Sequence, residues 1–355
     1  MRSILLLFLF SGSLLSLQAQ TGGRAVYQFL RLAPSARITA LGGNLISVRD
    51  DDVNLAYGNP ALLNQGMHQA LSFSHNFYPG GIQNGYAVYG HHVPKWDLTL
   101  HGGLQYVQYG DFPATDEMGV QTGEFKASEY ALTVGAGKQL YERLSVGANL
   151  KFVSSQLESY NSAGLAGDLA ATFFDTTSRF ALSLVMRNIG GQVSAYREDN
   201  PEKLPFDMQL GLSHRLRYLP FRISIIYHDL HRWNILYDDP NSEEPTDFSG
   251  ETPEPNKGSL FVDNLFRHFI FSGELLFGKN EPVRLRVGYN HQLRQELSVV
   301  NFRSLTGFSF GVGIKINRFR IDYGRGIYHL GGGLNHFTLS TNLAEFSHKR
   351  MLDKN

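Results

Sequence analysis

Long segments in which apolar and polar residues alternate restrict the fold of this chain more than any other feature. In residues 144–152 and 283–289 every second residue is apolar, and the residues between are polar, charged or glycine. Successive side chains of a β-strand point to opposite faces, so this period of two predicts strands with one apolar face. A soluble β-sandwich shows the same alternation. The segments, however, span about 9–15 residues, whereas strands of soluble proteins peak near about five or six.

We count fourteen such segments. They are centred on residues 69–78, 82–92, 96–109, 127–138, 144–158, 164–175, 180–188, 206–216, 221–230, 267–278, 283–292, 307–316, 319–328 and 335–343. Several of their apolar faces begin or end in aromatic residues, such as Trp96, Tyr106 and Phe277. Every second link is short, and the long links, 110–126, 189–205, 231–267 and 294–306, all fall in the other register. This arrangement predicts an all-β fold, a 14-stranded antiparallel transmembrane β-barrel whose closure leaves no sheet edge in lipid.

Composition excludes several other classes. The chain has 32 Lys+Arg against 32 Asp+Glu, so it lacks the basic excess of a nucleic-acid-binding protein. It has no cysteine, which excludes disulfides and zinc–thiolate sites. Only the first 20 residues approach the apolar length of a membrane-spanning helix.

The N-terminus predicts export. A short basic start is followed by an apolar stretch, residues 4–17, and Ala19 provides a small residue for cleavage. We therefore expect a signal peptide over 1–19, then a plug or hatch over 20–68, a barrel over 69–345 and a periplasmic tail over 346–355. The predicted location is the outer membrane, crossed many times, with the loops extracellular and both termini periplasmic.

Residues 20–68 do not alternate, which suits a compact plug inside the barrel. The acidic run from Asp50 to Asp52 predicts a helix start, because carboxylates suit the unpaired N–H groups there. Pro60 suits the first position of a second short helix. The candidate hatch residues are Gly42, Gly43, Asp51, Asn59, Pro60 and Ala61.

This segment carries a family resemblance. A small, glycine-containing stretch (40–43), an acidic spacer and Asn-Pro-Ala-Leu-Leu (59–63) resemble the hatch of FadL-type outer-membrane barrels. Residues 27–37 are similar to the PorV/PorQ family, FadL-like barrels of the type IX secretion system. The resemblance implies a component of the attachment complex with PorU-like and PorV-like proteins. It also implies a barrel that anchors a PorZ-like surface protein while cargo is processed and attached to lipopolysaccharide.

We find no motif for catalysis. Residues 212–215 are not a nucleophile elbow, residues 278–280 lack the spacing of a phosphate loop, and the glycines at 331–333 precede no helical pattern. The histidines lack the spacing of metal ligands. The sequence thus predicts a non-enzymatic protein with no cofactor and no metal.

Charged residues on the inward faces of the strands have two possible roles. The residues are Lys151, Arg187, Arg222, Glu274, Arg284, Arg286, Arg320 and Asp322. They could line a selective channel, or they could form a polar lumen that pairs with the plug. Because barrel interiors are generally polar, we favour the second reading.

The link over 231–267 is long, acidic and proline-rich. Its candidate docking residues are Tyr237, Asp238, Asp239, Glu243, Glu244, Phe248 and Phe261. A partner-docking arm and a disordered loop remain equal alternatives, and calcium binding is the weaker one because no EF-hand spacing exists.

Two hypotheses for function result. The first is a scaffold that contacts outer-membrane lipid and no nucleic acid, and that anchors a surface partner through its extracellular loops. The second is a FadL-type transporter of hydrophobic small molecules, which requires an apolar pocket between plug and loops. A diffusion porin is a weaker third alternative, because a plug and this strand number argue against a wide aqueous pore.

Overall fold

The computed structural model describes residues 25–197, 201–236, 257–297, 304–329 and 332–346. Within these ranges, no helix has the length and apolar character needed to cross a membrane. The predicted signal peptide, residues 237–256 of the predicted docking loop and residues 347–355 of the predicted tail lie outside the described residues.

Fourteen antiparallel strands form one closed barrel, as the alternating pattern predicts. They are β1 (Ala70–Phe77), β2 (Gln83–Val93), β3 (Leu98–Thr115), β4 (Gln121–Tyr141), β5 (Leu144–Leu157), β6 (Tyr160–Asp175), β7 (Phe180–Ser194), β8 (Asp207–Arg215), β9 (Phe221–Tyr227), β10 (Phe269–Phe277), β11 (Val283–Asn290), β12 (Phe308–Ile316), β13 (Phe319–His329) and β14 (Gly332–Asn342). Each strand pairs with its neighbours in sequence, and β14 pairs with β1 from Ala70↔Asn342 to Phe77↔Asn335. The 14-stranded barrel is therefore confirmed.

In the described residues, helical structure is limited to the segment before the barrel and to a few links. The α-helices are α1 (Ala36–Ala40), α2 (Lys257–Arg267) and α3 (His291–Leu297). Short 3-10 helices span Gln28–Arg31, Val53–Tyr57, Pro60–Leu62, Gln65–Met67, Pro79–Gly81 and Pro94–Trp96.

The two faces of the barrel wall have opposite chemistry. On β5, Ser145 and Lys151 point inward and are fully buried, whereas Leu150 and Phe152 point outward and are 56% and 50% exposed. The same contrast recurs around the ring, so the outer surface is an apolar band and the inner surface carries hydroxyls, amides and charges. A closed barrel with this polarity buries every strand edge and presents apolar side chains to lipid.

The links divide the barrel into two ends. Six links, 94–97, 142–143, 176–179, 216–220, 278–282 and 317–318, lie at what we call the short-link end. Residue 69, which enters β1, and residue 343, which follows β14, lie there too. The opposite, long-link end carries α2 and α3. The predicted loop 110–126 is largely strand, because β3 and β4 continue as a paired hairpin to Thr115 and Gln121.

Residues 25–69, the luminal segment, lie inside the ring of strands. They hydrogen-bond inward-facing side chains on opposite sides of the barrel, including Ser72 of β1, Thr172 of β6, Ser213 of β8 and Thr338 of β14. The expectation that both termini are periplasmic stays a prediction, because residues 1–24 and 347–355 lie outside the described residues. Ala25 bridges Lys203 at the long-link end, because residues 25–32 pack into an apolar part of the lumen there.

Candidate functional site: the occupied lumen

Near the long-link end one part of the lumen wall is apolar and is covered by the start of the luminal segment. The buried cluster comprises Val26, Tyr27, Phe29, Leu30, Val107, Ala131, Val153, Ala166 and Leu204. Four of these residues point inward from β3, β4, β5 and β6, one from each strand. Water-filled barrels have polar interiors. This part of the lumen is therefore suited to apolar groups and not to a column of water.

The two glycines of the predicted hatch form the end of α1. Gly42 and Gly43 have φ angles of 91° and 89°, a left-handed conformation that glycine adopts without steric penalty. The Gly43 N–H donates to Ile38 O at 3.0 Å, which closes the helix. The Gly42 N–H donates to Ser309 Oγ of β12 at 2.9 Å. The turn therefore also fixes the luminal segment to the wall.

Asn59, Pro60 and Ala61 form a second attachment on the opposite side. The Asn59 amide donates to Thr172 Oγ1 at 3.0 Å, and its carbonyl oxygen accepts the Ala61 N–H at 2.9 Å. The Ser145 hydroxyl donates to Ala61 O at 2.6 Å. A side chain at Gly147 would overlap the Pro60 backbone. The segment is in direct backbone contact with β5 at this point.

The three consecutive aspartates differ in their contacts. Asp52 caps the 3-10 helix Val53–Tyr57 by accepting the Asn54 N–H at 3.1 Å, which agrees with the predicted helix start. Asp52 also pairs with Arg37 at 3.0 Å, and Asp50 pairs with the same guanidinium at 2.7 Å. Asp51 is half exposed and lies 3.4 Å from Arg320. Capping therefore accounts for only one of the three carboxylates.

Glu274 of β10 is the centre of a buried ion-pair network. Its carboxylate accepts from Arg37, Arg222 and Arg286 at 2.9–3.1 Å. Arg286 also pairs with Asp322 at 2.5 Å. Five of the predicted lumen charges, Arg222, Glu274, Arg286, Arg320 and Asp322, thus lie together or next to the aspartates. Arg37 was not among the predicted site residues, because its position gives no signal in a segment without periodicity.

The network sets the ionisation of Asp50. Burial alone would raise the pKa of this carboxyl, but the neighbouring guanidiniums of Arg37 and Arg222 outweigh burial and hold the pKa well below its ordinary value. Arg284, another predicted lumen charge, instead pairs with Glu281 in a short link at 3.1 Å.

Lys151 and Arg187 belong to a separate cluster beneath the apolar region. Lys151 Nζ lies 2.8 Å from Asp168 Oδ2 and donates to Asn188 Oδ1 at 3.0 Å. It also lies 4.6 Å from the centre of the Tyr57 ring. Arg187 donates to Leu30 O at 3.3 Å. Asp168 was missed by the sequence analysis, although its position on the inward register of β6 marked it as a lumen residue.

An open cavity of about 570 Å³ lies at the short-link end. Its lining includes Arg49, Asp50, Leu63, Phe174 and Arg222, so it is partly polar and partly apolar. The luminal segment therefore fills the apolar part of the lumen and leaves an open cavity of mixed polarity between itself and the short-link end.

The predicted docking residues are mostly outside the described part of the chain. Tyr237, Asp238, Asp239, Glu243, Glu244 and Phe248 fall in residues 237–256, whereas Phe261 lies on α2 and is 56% exposed.

In the described ranges, Asp207, Asp229 and His231 form the one group whose geometry could hold a metal ion. Asp229 is already paired with Arg31 at 3.3 Å and with Arg232 at 3.5 Å. These two cations disfavour a bound metal, because they neutralise the carboxylate and repel a second positive charge.

A closed 14-stranded barrel with an occupied lumen is the class that the fold and site define. Three solved structures share this fold over most of their length. The toluene transporter TbuX of Ralstonia pickettii has a TM-score of 0.51 at 12% identity, with 88% of this chain and 99% of that chain covered. The CymD monoaromatic hydrocarbon channel has a TM-score of 0.51 at 14% identity, with 87% of this chain and 96% of that chain covered. A deltaS2 mutant of the TodX monoaromatic hydrocarbon channel has a TM-score of 0.50 at 13% identity, with 87% of this chain and 97% of that chain covered.

At these identities the likeness concerns the fold, that of FadL-like barrels. No family model matches the sequence, and no curated protein matches it significantly.

Proposed function

We propose that this chain is a non-enzymatic outer-membrane protein through which hydrophobic small molecules cross. The observation that carries the proposal is the apolar lining of the lumen near the long-link end, where Val107 and Val153 face Phe29 and Leu30. A channel for water-soluble molecules has no need of such a lining, whereas a hydrophobic molecule gains free energy when it leaves water for it.

The described roles of the structural neighbours agree with this choice. TbuX is described as a toluene transporter and CymD as a monoaromatic hydrocarbon channel. Because sequence identity is low, these descriptions support the class of molecule and do not identify a particular one. They favour passage of hydrophobic molecules over the type IX secretion role implied by the family resemblance.

The geometry suggests how passage occurs. Residues 26–30 occupy the space that a hydrophobic molecule would take, so they must shift before the molecule can enter. The cavity at the short-link end provides the next open space. For the molecule to reach that cavity, the remainder of the luminal segment must shift as well. Its polar attachments at Ser309, Thr172 and Glu274 hold it in place between passages, which keeps water and larger solutes out. In this proposal the long-link end is extracellular.

Uptake by whole cells tests the proposal. Cells that lack other hydrocarbon channels are given the gene or an empty vector, and uptake of radiolabelled toluene and arabinose is followed. We expect faster toluene uptake and unchanged arabinose uptake. Equal toluene uptake by both strains, with the barrel correctly inserted, contradicts the proposal. Faster uptake of both solutes indicates a porin instead.

Anchoring of a surface partner is a second proposal, favoured by the hairpin of β3 and β4. Phe112 and Phe125 stack at 5.3 Å between ring centres, and Met118 at the tip is 90% exposed. A projecting hairpin that carries these apolar side chains among acidic ones offers a contact surface for a PorZ-like protein. Affinity isolation in mild detergent tests this idea. A soluble partner recovered in stoichiometric amount, and lost when residues 112–125 are replaced by a short turn, supports it. A barrel recovered alone contradicts it.

A further inference from the structure

Helix α2 turns its polar side toward the protein and its apolar side outward. Asp263 lies 2.8 Å from Arg267 and 3.1 Å from His291, and the buried Asn264 side chain bonds Trp233 O and the Ile235 N–H. On the other side of the helix, Phe261, Val262 and Phe266 are 56%, 50% and 45% exposed. A helix packed on a soluble protein has the reverse arrangement, with its apolar stripe facing the core.

This helix stands above the shortest part of the barrel wall. Strands β9, β10 and β11 have seven, nine and eight residues, whereas β3 and β4 have 18 and 21. With a rise of about 3.3 Å per residue and a tilt of about 40°, eight residues span roughly 20 Å of membrane. The apolar band of an outer-membrane barrel is about 25 Å tall. This side of the wall is therefore too short by about 5 Å, and a helix lying flat, about 10–12 Å across with its side chains, is more than wide enough to cover that gap.

The apolar surface of α2 is continuous with the lipid-facing surface below it. The Phe266 ring lies 6.4 Å from Phe269 at the start of β10, and Phe269 in turn stacks on Phe271 at 5.8 Å. Tyr227 of β9 contacts Phe269 at 5.0 Å. Aromatic residues at the end of barrel strands mark the membrane interface. The stripe on α2 extends this aromatic group and does not form a separate patch.

We propose that α2 lies in the membrane interface at the long-link end, with Phe261, Val262 and Phe266 inserted among the lipids. It completes the apolar wall where β9–β11 are short. The occupant of this surface is thus phospholipid or lipopolysaccharide acyl chain. A short, one-sided apolar helix binds an interface in this orientation, with its polar face away from the acyl chains. The proposal requires the barrel to be in a membrane but does not depend on what the barrel transports.

Quenching of tryptophan fluorescence by brominated phospholipids tests the proposal. Trp96 and Trp233 are first replaced by phenylalanine, and one tryptophan is then introduced at a time as Phe261→Trp or Phe266→Trp. Leu285→Trp on the outward face of β11 is the control for lipid contact, and Met118→Trp at the exposed hairpin tip is the control for water contact.

In vesicles with bromine near the headgroups, we expect Phe261→Trp and Phe266→Trp to lose fluorescence as Leu285→Trp does, while Met118→Trp keeps it. Bromine deep in the acyl chains should quench the two helix positions less than shallow bromine. If Leu285→Trp is quenched but both helix positions respond only to aqueous iodide, the proposal is wrong. If the access of iodide to these two tryptophans then falls as the protein concentration rises, a second copy of the chain covers this surface instead of lipid. If Leu285→Trp is itself unquenched, the membrane location fails as well.

Discussion

Arg37 of the luminal segment forms a bidentate ion pair with Glu274 of β10, with both N–O distances at 3.0 Å. Both side chains are almost completely buried, so the pair is shielded from water. A paired guanidinium and carboxylate have fixed planar geometry, which sets the position of the segment as well as its charge balance. This contact fixes α1 of the luminal segment to β10.

Neutralising Glu274 should loosen the luminal segment. Glu274→Gln leaves Arg37, Arg222 and Arg286 close together without their shared carboxylate, and breaking a buried pair costs about 3–5 kcal/mol. We expect faster amide hydrogen exchange over residues 36–52 and a higher open probability in planar bilayers. Glu345→Gln, which removes a half-exposed pair with Lys315, is the control and should change neither. Unchanged exchange in Glu274→Gln would show that the network does not hold the segment.

The attachment should resist mild acid. The pKa of the Asp50 carboxyl is lowered in the folded protein. The stability that this carboxylate contributes is therefore fully present above its unfolded pKa of about 3.9, and it is lost only as pH falls through the lower pKa of the folded protein. We expect constant hydrogen exchange of residues 36–52, corrected for the intrinsic rate, from pH 8 to pH 5. Asp50→Asn should lower this protection at every pH in that range. Loss of protection in the unmodified chain between pH 7 and pH 5 would contradict the assignment.

The wall of the barrel was predictable and the packing of its lumen was not. Alternation sets which side chain faces lipid, so residues 144–152 alone indicate that Lys151 points inward and Leu150 outward. The pairing of Lys151 with Asp168 depends instead on the register of two strands and on a segment without periodicity. The outward apolar face of α2 was not predicted either, because residues 231–267 were expected to form one long loop.

The close approach of Pro60 to β5 should make Gly147 sensitive to substitution. Gly147→Ala places a methyl group on the Pro60 backbone, and such overpacking typically costs about 1–3 kcal/mol. We expect faster hydrogen exchange over residues 59–63. Gly102→Ala is the matched control, because an added Cβ at this position on β3 has no neighbour within 4 Å. Equal exchange in the two variants would mean that the contact at Pro60 is readily displaced.

A reversible crosslink between the luminal segment and the wall should stop transport. Ser47 Oγ and Ser213 Oγ of β8 are 2.6 Å apart, close enough for a disulfide after replacement of both by cysteine. The natural chain has no cysteine, so the pair has no competing partner. If residues 25–69 must shift for a hydrophobic molecule to pass, oxidised Ser47→Cys/Ser213→Cys should lose toluene uptake and regain it after reduction. Ser72→Cys/Ser340→Cys joins β1 to β14 within the wall, where the hydroxyls are 2.9 Å apart, and should transport in both states. Toluene uptake at the wild-type rate by the fully crosslinked Ser47–Ser213 variant would show that molecules pass without release of the segment at β8.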